Sequence, residues 1–522
     1  MAQYLANLSL HTDEAAIALN LRDRSLAGLL SAPLDYAQMA PPGWLALQWG
    51  VLRGLGGSEY ALRLVPLVAS LTSLVLLAAL GRRVSSGLGP ALAVAWLAAS
   101  WDFLFYGTQL KQYASDTATA LALLLIALRA LHPESRLGWR LGIGSGLLIL
   151  FSLTAAFVAA ALGAVLIADA LVVRSRARAR RLVPLVIPWA VAAALVAGWT
   201  LLLTPAPLAA YMNRFWEYTY APWPLSPLES VQWVWQTIRR WVLAPISSDW
   251  QRHLPKVYAL LLFVGAVALA RRRPRPAVLL AAPVAFAVGL TMAHRYPIGG
   301  RVTLYLLPII LLAMAHGAEQ GLRLLRGRAP AWVAVAALIA LLLPAGRAIA
   351  AASPPQWFDN ARPLVRAVAA VIRPEDVLYV HHSVAKPFDW YWPGAQPMAG
   401  RLIRGRCYNG DPRPYFRELD ALRGRPRVWM LSTDPTWNAY AEVAAYEQAV
   451  GLVRDSVVTS DAPRQRDGGR QVAYLRDFSD ASALAAVRAD TITLPPNRFV
   501  DWIGWTCFGS ERQPVLHPSL WR

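Results

Sequence analysis

Long apolar runs separated by short basic clusters dominate the first 350 residues. Stretches of the length needed to cross a bilayer, about 20 residues each, occupy 60–81, 88–106, 113–131, 183–203, 256–270, 276–293, 302–319 and 330–350. The apolar stretch 141–173 is too long for a single crossing: as one helix it would run about 50 Å against a hydrocarbon core of about 30 Å. Arg140 precedes it and Arg174 follows it, so the pattern predicts a hairpin of two short helices turning near Ser152–Thr154. Ten membrane helices are expected in all.

The loops set the orientation. Arg82–Arg83, Arg129/Arg136/Arg140, Arg174 to Arg181, Arg271 to Arg275 and Arg323/Arg326/Arg328 alternate with poorly basic connections. The positive-inside rule puts these clusters in the cytoplasm. Segments 1–59, 107–112, 204–255, 294–301 and everything after 351 then face outward. Residues 1–59 reach the outside with no apolar helix before them. Either a further transmembrane helix precedes residue 1, the favoured expectation and an eleventh in total, or the tail is translocated without one.

After about residue 351 the period changes. Helical patterns at 361–372, 414–423 and 440–450 alternate with short apolar runs at 377–380, 428–431, 456–459 and 471–475. That alternation predicts an α/β domain with a mainly parallel sheet. The expected division is a membrane domain over 1–350 and an extracytoplasmic α/β domain over 351–522, with an irregular tail from 479.

Composition agrees with this reading. The chain is 56% hydrophobic and 16% charged, with a mean hydropathy of +0.37, whereas soluble domains carry about 25% charged residues. The net charge of +20 is distributed as loop clusters and forms no continuous basic face, which argues against a nucleic-acid partner. Both cysteines, Cys407 and Cys507, fall in the outward domain. In an oxidising compartment they are candidates for one disulfide, with two separate buried thiols as the alternative. There is no HExxH, paired CxxC, Walker loop or helix-opening GxGxxG. His381-His382 follow a predicted strand without other ligands at metal spacing.

Candidate chemistry gathers on the outer face. His11-Thr-Asp13-Glu14 opens an amphipathic run. Read locally, Thr12 caps a helix and the two carboxylates favour its first turn. Read functionally, a carboxylate stands at the membrane surface as a general base. Gln38 and Pro41-Pro42 come next, then Gly56-Gly-Ser-Glu59-Tyr-Ala-Leu-Arg63-Leu-Val-Pro66. Tyr106-Gly-Thr-Gln-Leu-Lys111-Gln-Tyr113-Ala-Ser-Asp116 and Arg301-Val-Thr-Leu-Tyr305-Leu-Leu-Pro308 complete the series.

In that order these motifs resemble the GT-C superfamily of integral-membrane glycosyltransferases. The similarity is greatest to the branch related to protein O-mannosyltransferases and the lipid A aminoarabinose transferase, and it covers about 1–350. The chain departs from the branch's pattern at Met39-Ala40, where relatives often carry Lys or His, and at Leu110, where many carry Gln-Glu. The resemblance implies a hexosyl- or pentosyltransferase in a bacterial inner membrane. Its donor would be a polyprenyl-phosphate sugar and its acceptor a glycan, lipid or protein hydroxyl at the outer face. It makes Asp13 the expected base, with Glu14 second, and it leaves room for a divalent metal, Mg or Mn.

Some cations need a separate explanation. Arg295 and Arg301 lie on the outer side against the positive-inside trend, and Arg301 opens a helix, where the dipole disfavours a cation. A lipid phosphate would resolve the conflict. Headgroup anchoring is the alternative for Arg295, and snorkelling for Lys111. Lys111, Arg295, Arg301, Tyr113 and Tyr296 are therefore the expected donor-binding residues.

Asp102, Asp116, Gln38, His294, Trp216 and Glu217 are candidates for the acceptor or the cavity. Asp116 has a structural alternative in an i,i+4 pair with Gln112. Most tryptophans of the outer loop (Trp216, Trp223, Trp233, Trp235, Trp241, Trp250) read as interfacial. The competing function class is a transporter or flippase of lipid-linked sugars, which commonly shows internal repeats. None is visible here.

Overall fold

The computed structural model describes residues 2–221, 226–238, 254–326, 328–351, 360–392, 401–406, 413–432, 446, 449–458 and 472–480. Cys407, Cys507, Trp223, Trp241, Trp250 and most of the helix expected at 440–450 lie outside the described residues. In chain order the first helices are α1 (Ala2–Leu5), α2 (Thr12–Asp23), α3 (Leu26–Ser31), α4 (Pro42–Leu55), α5 (Glu59–Val84), α6 (Gly89–Ala99) and α7 (Trp101–Tyr106). Then come α8 (Tyr113–Leu131), α9 (Trp139–Ile149), α10 (Ala155–Val172), α11 (Arg176–Leu203), α12 (Ala206–Phe215) and α13 (Pro227–Thr237). Next are α14 (Leu254–Arg272), α15 (Pro274–Met292), α16 (Leu307–Arg326, preceded by a 3-10 stretch Gly300–Leu306) and α17 (Ala331–Ala351). The C-terminal part adds α18 (Ala361–Val371), β1 (Val377–Val380), α19 (Ala385–Tyr391), β2 (Leu402–Arg404), α20 (Arg413–Asp420), β3 (Val428–Leu431), β4 (Leu452–Val458) and β5 (Val472–Asp477).

The chain folds as two compact units: Met1–Met39, Gly57–Glu59 and Pro354–Arg522 in one, Ala40–Gly56 and Tyr60–Ser353 in the other. Composition alone places a boundary near residue 350. It gives no sign that the first 39 residues pack with the C-terminal part, because that pairing is made by tertiary contacts.

In the helical unit, the expected spans fall on helical residues, and all but 88–106 do so without a break. Among the described residues seven are long and apolar enough to cross a membrane: 59–84, 113–131, 155–172, 176–203, 274–292, 300–326 and 331–350. The protein is a multi-pass membrane protein. The expected span 88–106 divides at Ser100, whose extended backbone ends α6 before α7 begins. The stretch 141–173 is the expected hairpin: α9 ends at Ile149, and Ser152 Oγ accepts from Ala155 N at 3.0 Å where α10 starts.

Close approach explains two of the packing seams. Gly142 and Gly146 of α9 face the Pro184 and Pro188 carbonyls of α11, and Trp189 Nε1 donates to Ser145 Oγ at 2.7 Å. Gly265 of α14 and Gly317 of α16 cross backbone to backbone, the small-residue packing by which membrane helices associate. Exposed apolar side chains such as Val75, Val172, Leu202, Phe263 and Trp332 suit a lipid surround.

The other unit is a five-stranded sheet of order β2-β1-β3-β5-β4. β1 pairs with β2 and with β3 in parallel, while β5 runs antiparallel to both β3 and β4. The sheet is thus mixed, because β4 and β5 are consecutive and pair directly. β1 and β3 are buried throughout, as expected for strands covered on both faces. Val377 and Tyr379 point to a core with Tyr415, Phe416 and Met430. Leu378 and Val380 point to one with Leu364, Val365, Val368, Phe388 and Trp429. At the start of β1 the fully buried Asp376 accepts from Arg427 Nε at 2.5 Å and Trp429 Nε1 at 3.1 Å.

The N-terminal segment is tied to this sheet by polar contacts. Ser9 Oγ donates to Asn360 Oδ1 at 2.6 Å, and Leu10 N donates to Tyr391 Oη at 2.6 Å. Glu59 Oε1 receives Arg362 Nη1 at 2.7 Å and Tyr391 Oη at 2.8 Å.

Candidate active site

In the unit containing the sheet, the chemistry centres on the first turn of α2. The N-cap is His11, one residue before the Thr12 expected from sequence. Its Nδ1 accepts from Asp13 N at 3.3 Å, and Glu14 Oε2 accepts from His11 N at 3.0 Å. This closed capping box satisfies donors that helix geometry leaves open. Glu14 is buried in that role, while Asp13, one residue earlier, is half-buried. The two neighbouring carboxylates thus have different surroundings.

Asp13 lies close enough to Lys386 of α19 for its charge to act on the ammonium. Burial pushes the Lys386 pKa below the usual lysine value, and Asp13 pulls it back up. The Lys386 ammonium sits over the Tyr36 ring, 5.6 Å from its centroid. Tyr36 and Ala37 both have positive φ, at 62° and 54°, conformations that cost non-glycine residues on the order of 1–2 kcal/mol each. Gln38 Nε2 closes this turn by donating to the Tyr36 carbonyl at 3.0 Å.

Just before α19, His381 and His382 face each other at 4.1 Å between ring centroids. Burial pushes both pKa values down, His382 to about 4, so both rings are neutral at physiological pH. No sequence signal separated Lys386 from an ordinary surface lysine; its place beside Asp13 depends on a long-range contact.

In the helical unit a second set of expected residues comes together. Arg301 stands over the Tyr113 ring at 6.0 Å and the Trp216 ring at 5.9 Å. Tyr106 meets Tyr113 edge to face at 5.4 Å. Tyr296 Oη donates to the Val302 carbonyl at 2.7 Å. Burial, with Tyr305, Asp116, Tyr113 and Tyr220 close by, holds the Tyr296 pKa well above the usual value. His294, in the left-handed region at φ 52°, ends α15. Its ring stacks on Tyr220 at 5.1 Å, with Nε2 2.9 Å from the Ala221 carbonyl oxygen.

Asp116 is buried against the Ser152 and Thr154 hydroxyls of the hairpin turn, and its Oδ1 has no hydrogen-bond partner among the described residues. The hairpin hydroxyls thus take the place of the i,i+4 side-chain pair with Gln112. Lys111 is buried in the 107–112 turn, and Arg63, not among the expected site residues, is buried one turn into α5. Asp102 is half-buried in the first turn of α7. Glu217 and Arg295 are exposed. Among the described residues, no group of three or more His, Cys, Asp or Glu side chains is placed to hold a metal ion.

No protein family and no curated protein matches the chain in sequence. Among solved structures, matches extend over most of the chain at low identity. The apo crystal structure of ArnT from Cupriavidus metallidurans is similar with a TM-score of 0.46 and 15% identity, over 92% of this chain and 96% of that one. The same protein bound to undecaprenyl phosphate gives 0.44 and 14%, over 92% and 97%. An Archaeoglobus fulgidus oligosaccharyltransferase in complex with Zn and sulfate gives 0.49 and 13%, over 91% and 70%.

Proposed function

We propose that the protein is a membrane glycosyltransferase that moves a sugar from a polyprenyl-phosphate donor to an acceptor hydroxyl. The observation that carries this reading is Arg301, held by the faces of Tyr113 and Trp216 where the 3-10 stretch leads into α16. Aromatic faces hold a guanidinium without removing its charge, and such contacts contribute roughly 0.5–2 kcal/mol. The sequence singles out the same three residues.

In this reading Asp13 takes the proton of the acceptor hydroxyl as its oxygen attacks the anomeric carbon. The bond from that carbon to the phosphate oxygen breaks, the configuration inverts, and the polyprenyl phosphate leaves as an anion that needs a cation on the donor side. Tyr113, Tyr296, Lys111 and Arg295 belong to the donor side. Trp216, Glu217, His294, Asp102, Asp116 and Gln38 are the acceptor or cavity candidates. The active face and the α/β unit lie outside a bacterial inner membrane.

The test is turnover in proteoliposomes supplied with a panel of polyprenyl-phosphate sugars and a hydroxyl acceptor. Free polyprenyl phosphate appearing in step with glycosylated acceptor supports the transferase. Donor crossing the bilayer intact, with no phosphate released, supports the flippase and overturns it.

A further inference from the structure

The C-terminal sheet unit contributes more to Asp13 than a scaffold. Four contacts lay α19 and the turn before it along α2. Thr12 Oγ1 donates to the Ser383 carbonyl at 3.4 Å, and Leu10 N donates to Tyr391 Oη at 2.6 Å. Arg22 Nη1 donates to the Asp389 carbonyl at 2.9 Å, with its guanidinium 5.6 Å from the Trp390 ring centroid. This docking brings Lys386 to Asp13, the one first-turn carboxylate of α2 outside the capping box. Tyr36, held by its two left-handed residues, lies beneath the ammonium.

We propose that Lys386 is a positioning residue for Asp13, holding it ionised and oriented as the proton acceptor, so that the α/β unit completes the base. This rests on the transferase reading given above. An ammonium beside a carboxylate favours its charged form, and a base must be unprotonated to act. Among the described residues, the charged or titratable groups that act on or lie against Lys386 are Asp13, Tyr36 and His382. Of these, only Asp13 is anionic at neutral pH. The ring face of Tyr36 allows the ammonium to be partly desolvated.

Two measurements test the proposal on the full chain. The sequence contains three lysines, Lys111, Lys256 and Lys386, so reductive 13C-methylation yields a countable set of NMR signals, and Lys386→Arg identifies one by its loss. In Asp13→Asn the Lys386 signal is expected to titrate about one pH unit lower than in the wild type. An unchanged titration overturns the proposal, whatever the turnover result. In proteoliposomes, Lys386→Met is expected to lower kcat by about tenfold, less than the 10²–10⁴ that the general base itself contributes. Donor KM should stay within about twofold, and Lys386→Arg should restore most of kcat. Equal kcat for Lys386→Met and wild type overturns it, and so does a loss that arginine does not rescue. Should Lys386→Met fail to fold, the NMR comparison of wild type with Asp13→Asn still decides. A shifted lysine signal in a protein that turns over no donor supports the pairing and sinks the transferase reading alone.

Discussion

Asp13→Asn and Glu14→Gln make the same chemical change at adjacent positions, yet the structure separates their consequences. Glu14 is 1% exposed, and its Oε2 accepts from His11 N at 3.0 Å. Glutamine at that position still offers an acceptor, so the capping box survives. What is lost is a charge near the helix N-terminus, about 0.3–1 kcal/mol. Asp13→Asn loses a similar amount of helix stabilisation. In the proposed mechanism it also removes the proton acceptor, and general-base catalysis is worth about 10²–10⁴ in rate, or roughly 3–5 kcal/mol of activation barrier.

Initial rates in proteoliposomes at equal protein density should therefore fall at least about a hundredfold for Asp13→Asn. For Glu14→Gln they should stay within about fivefold, with both variants unfolding within a few degrees of the wild type. Glu14→Ala strips the box and leaves the His11 N–H unsatisfied, a loss of about 1–2 kcal/mol that appears in stability first. The assignment is refuted if Glu14→Gln loses as much rate as Asp13→Asn does, or if Asp13→Asn turns over at near wild-type rate.

Other expectations address the donor side, the membrane packing and the sheet. Arg301→Gln should raise donor KM by about tenfold or more while preserving the fold, because the Tyr113 and Trp216 faces can pack on an amide but not charge it; donor titration in the same assay checks this. Gly317→Ala places a methyl group into the Leu261 carbonyl across the α14–α16 crossing and should reduce folded yield sharply, by the 1–3 kcal/mol or more typical of overpacking; size-exclusion profiles in detergent measure it.

Asp376 is held below the usual carboxylate range. Burial opposes its charge, but the Arg427 hydrogen bonds and ion pair, the Arg373 N–H and Trp429 outweigh it. Its contribution is therefore present above the unfolded value near 3.8 and is lost as pH falls through the lower folded value. Hydrogen exchange in β1 and β3 should accelerate in that acid window. Asp376→Asn should abolish the dependence at a cost of about 1.5–3 kcal/mol at neutral pH.

Local pattern carried most of the architecture. Runs of about 20 apolar residues need no tertiary information to become helices in a bilayer, since unsatisfied backbone groups there cost several kcal/mol each. Continuous apolar tetrads such as Val377–Val380 and Val428–Leu431 mark strands covered on both faces in the same way. Both strands form at the expected residues. β2, with three residues and a largely exposed pattern, has too short a period to be read. The antiparallel β4–β5 pairing depends on hydrogen bonds between strands, which strand pattern alone does not encode.

The site divides along the same line. Residue type and order picked out Asp13, Tyr113, Trp216 and Arg301, because a base, aromatic faces and a misplaced cation are local chemical oddities. Their surroundings were decided by tertiary packing. His11 rather than Thr12 caps α2, so Glu14 is committed to the helix and Asp13 is not. Lys386, 373 positions further along the chain, reaches Asp13 through contacts no local window contains. Periodicity encodes which face of a segment is buried; which buried or half-buried charges meet is decided when distant segments pack, because the interaction falls off over a few ångströms while the sequence separates the partners by hundreds of residues.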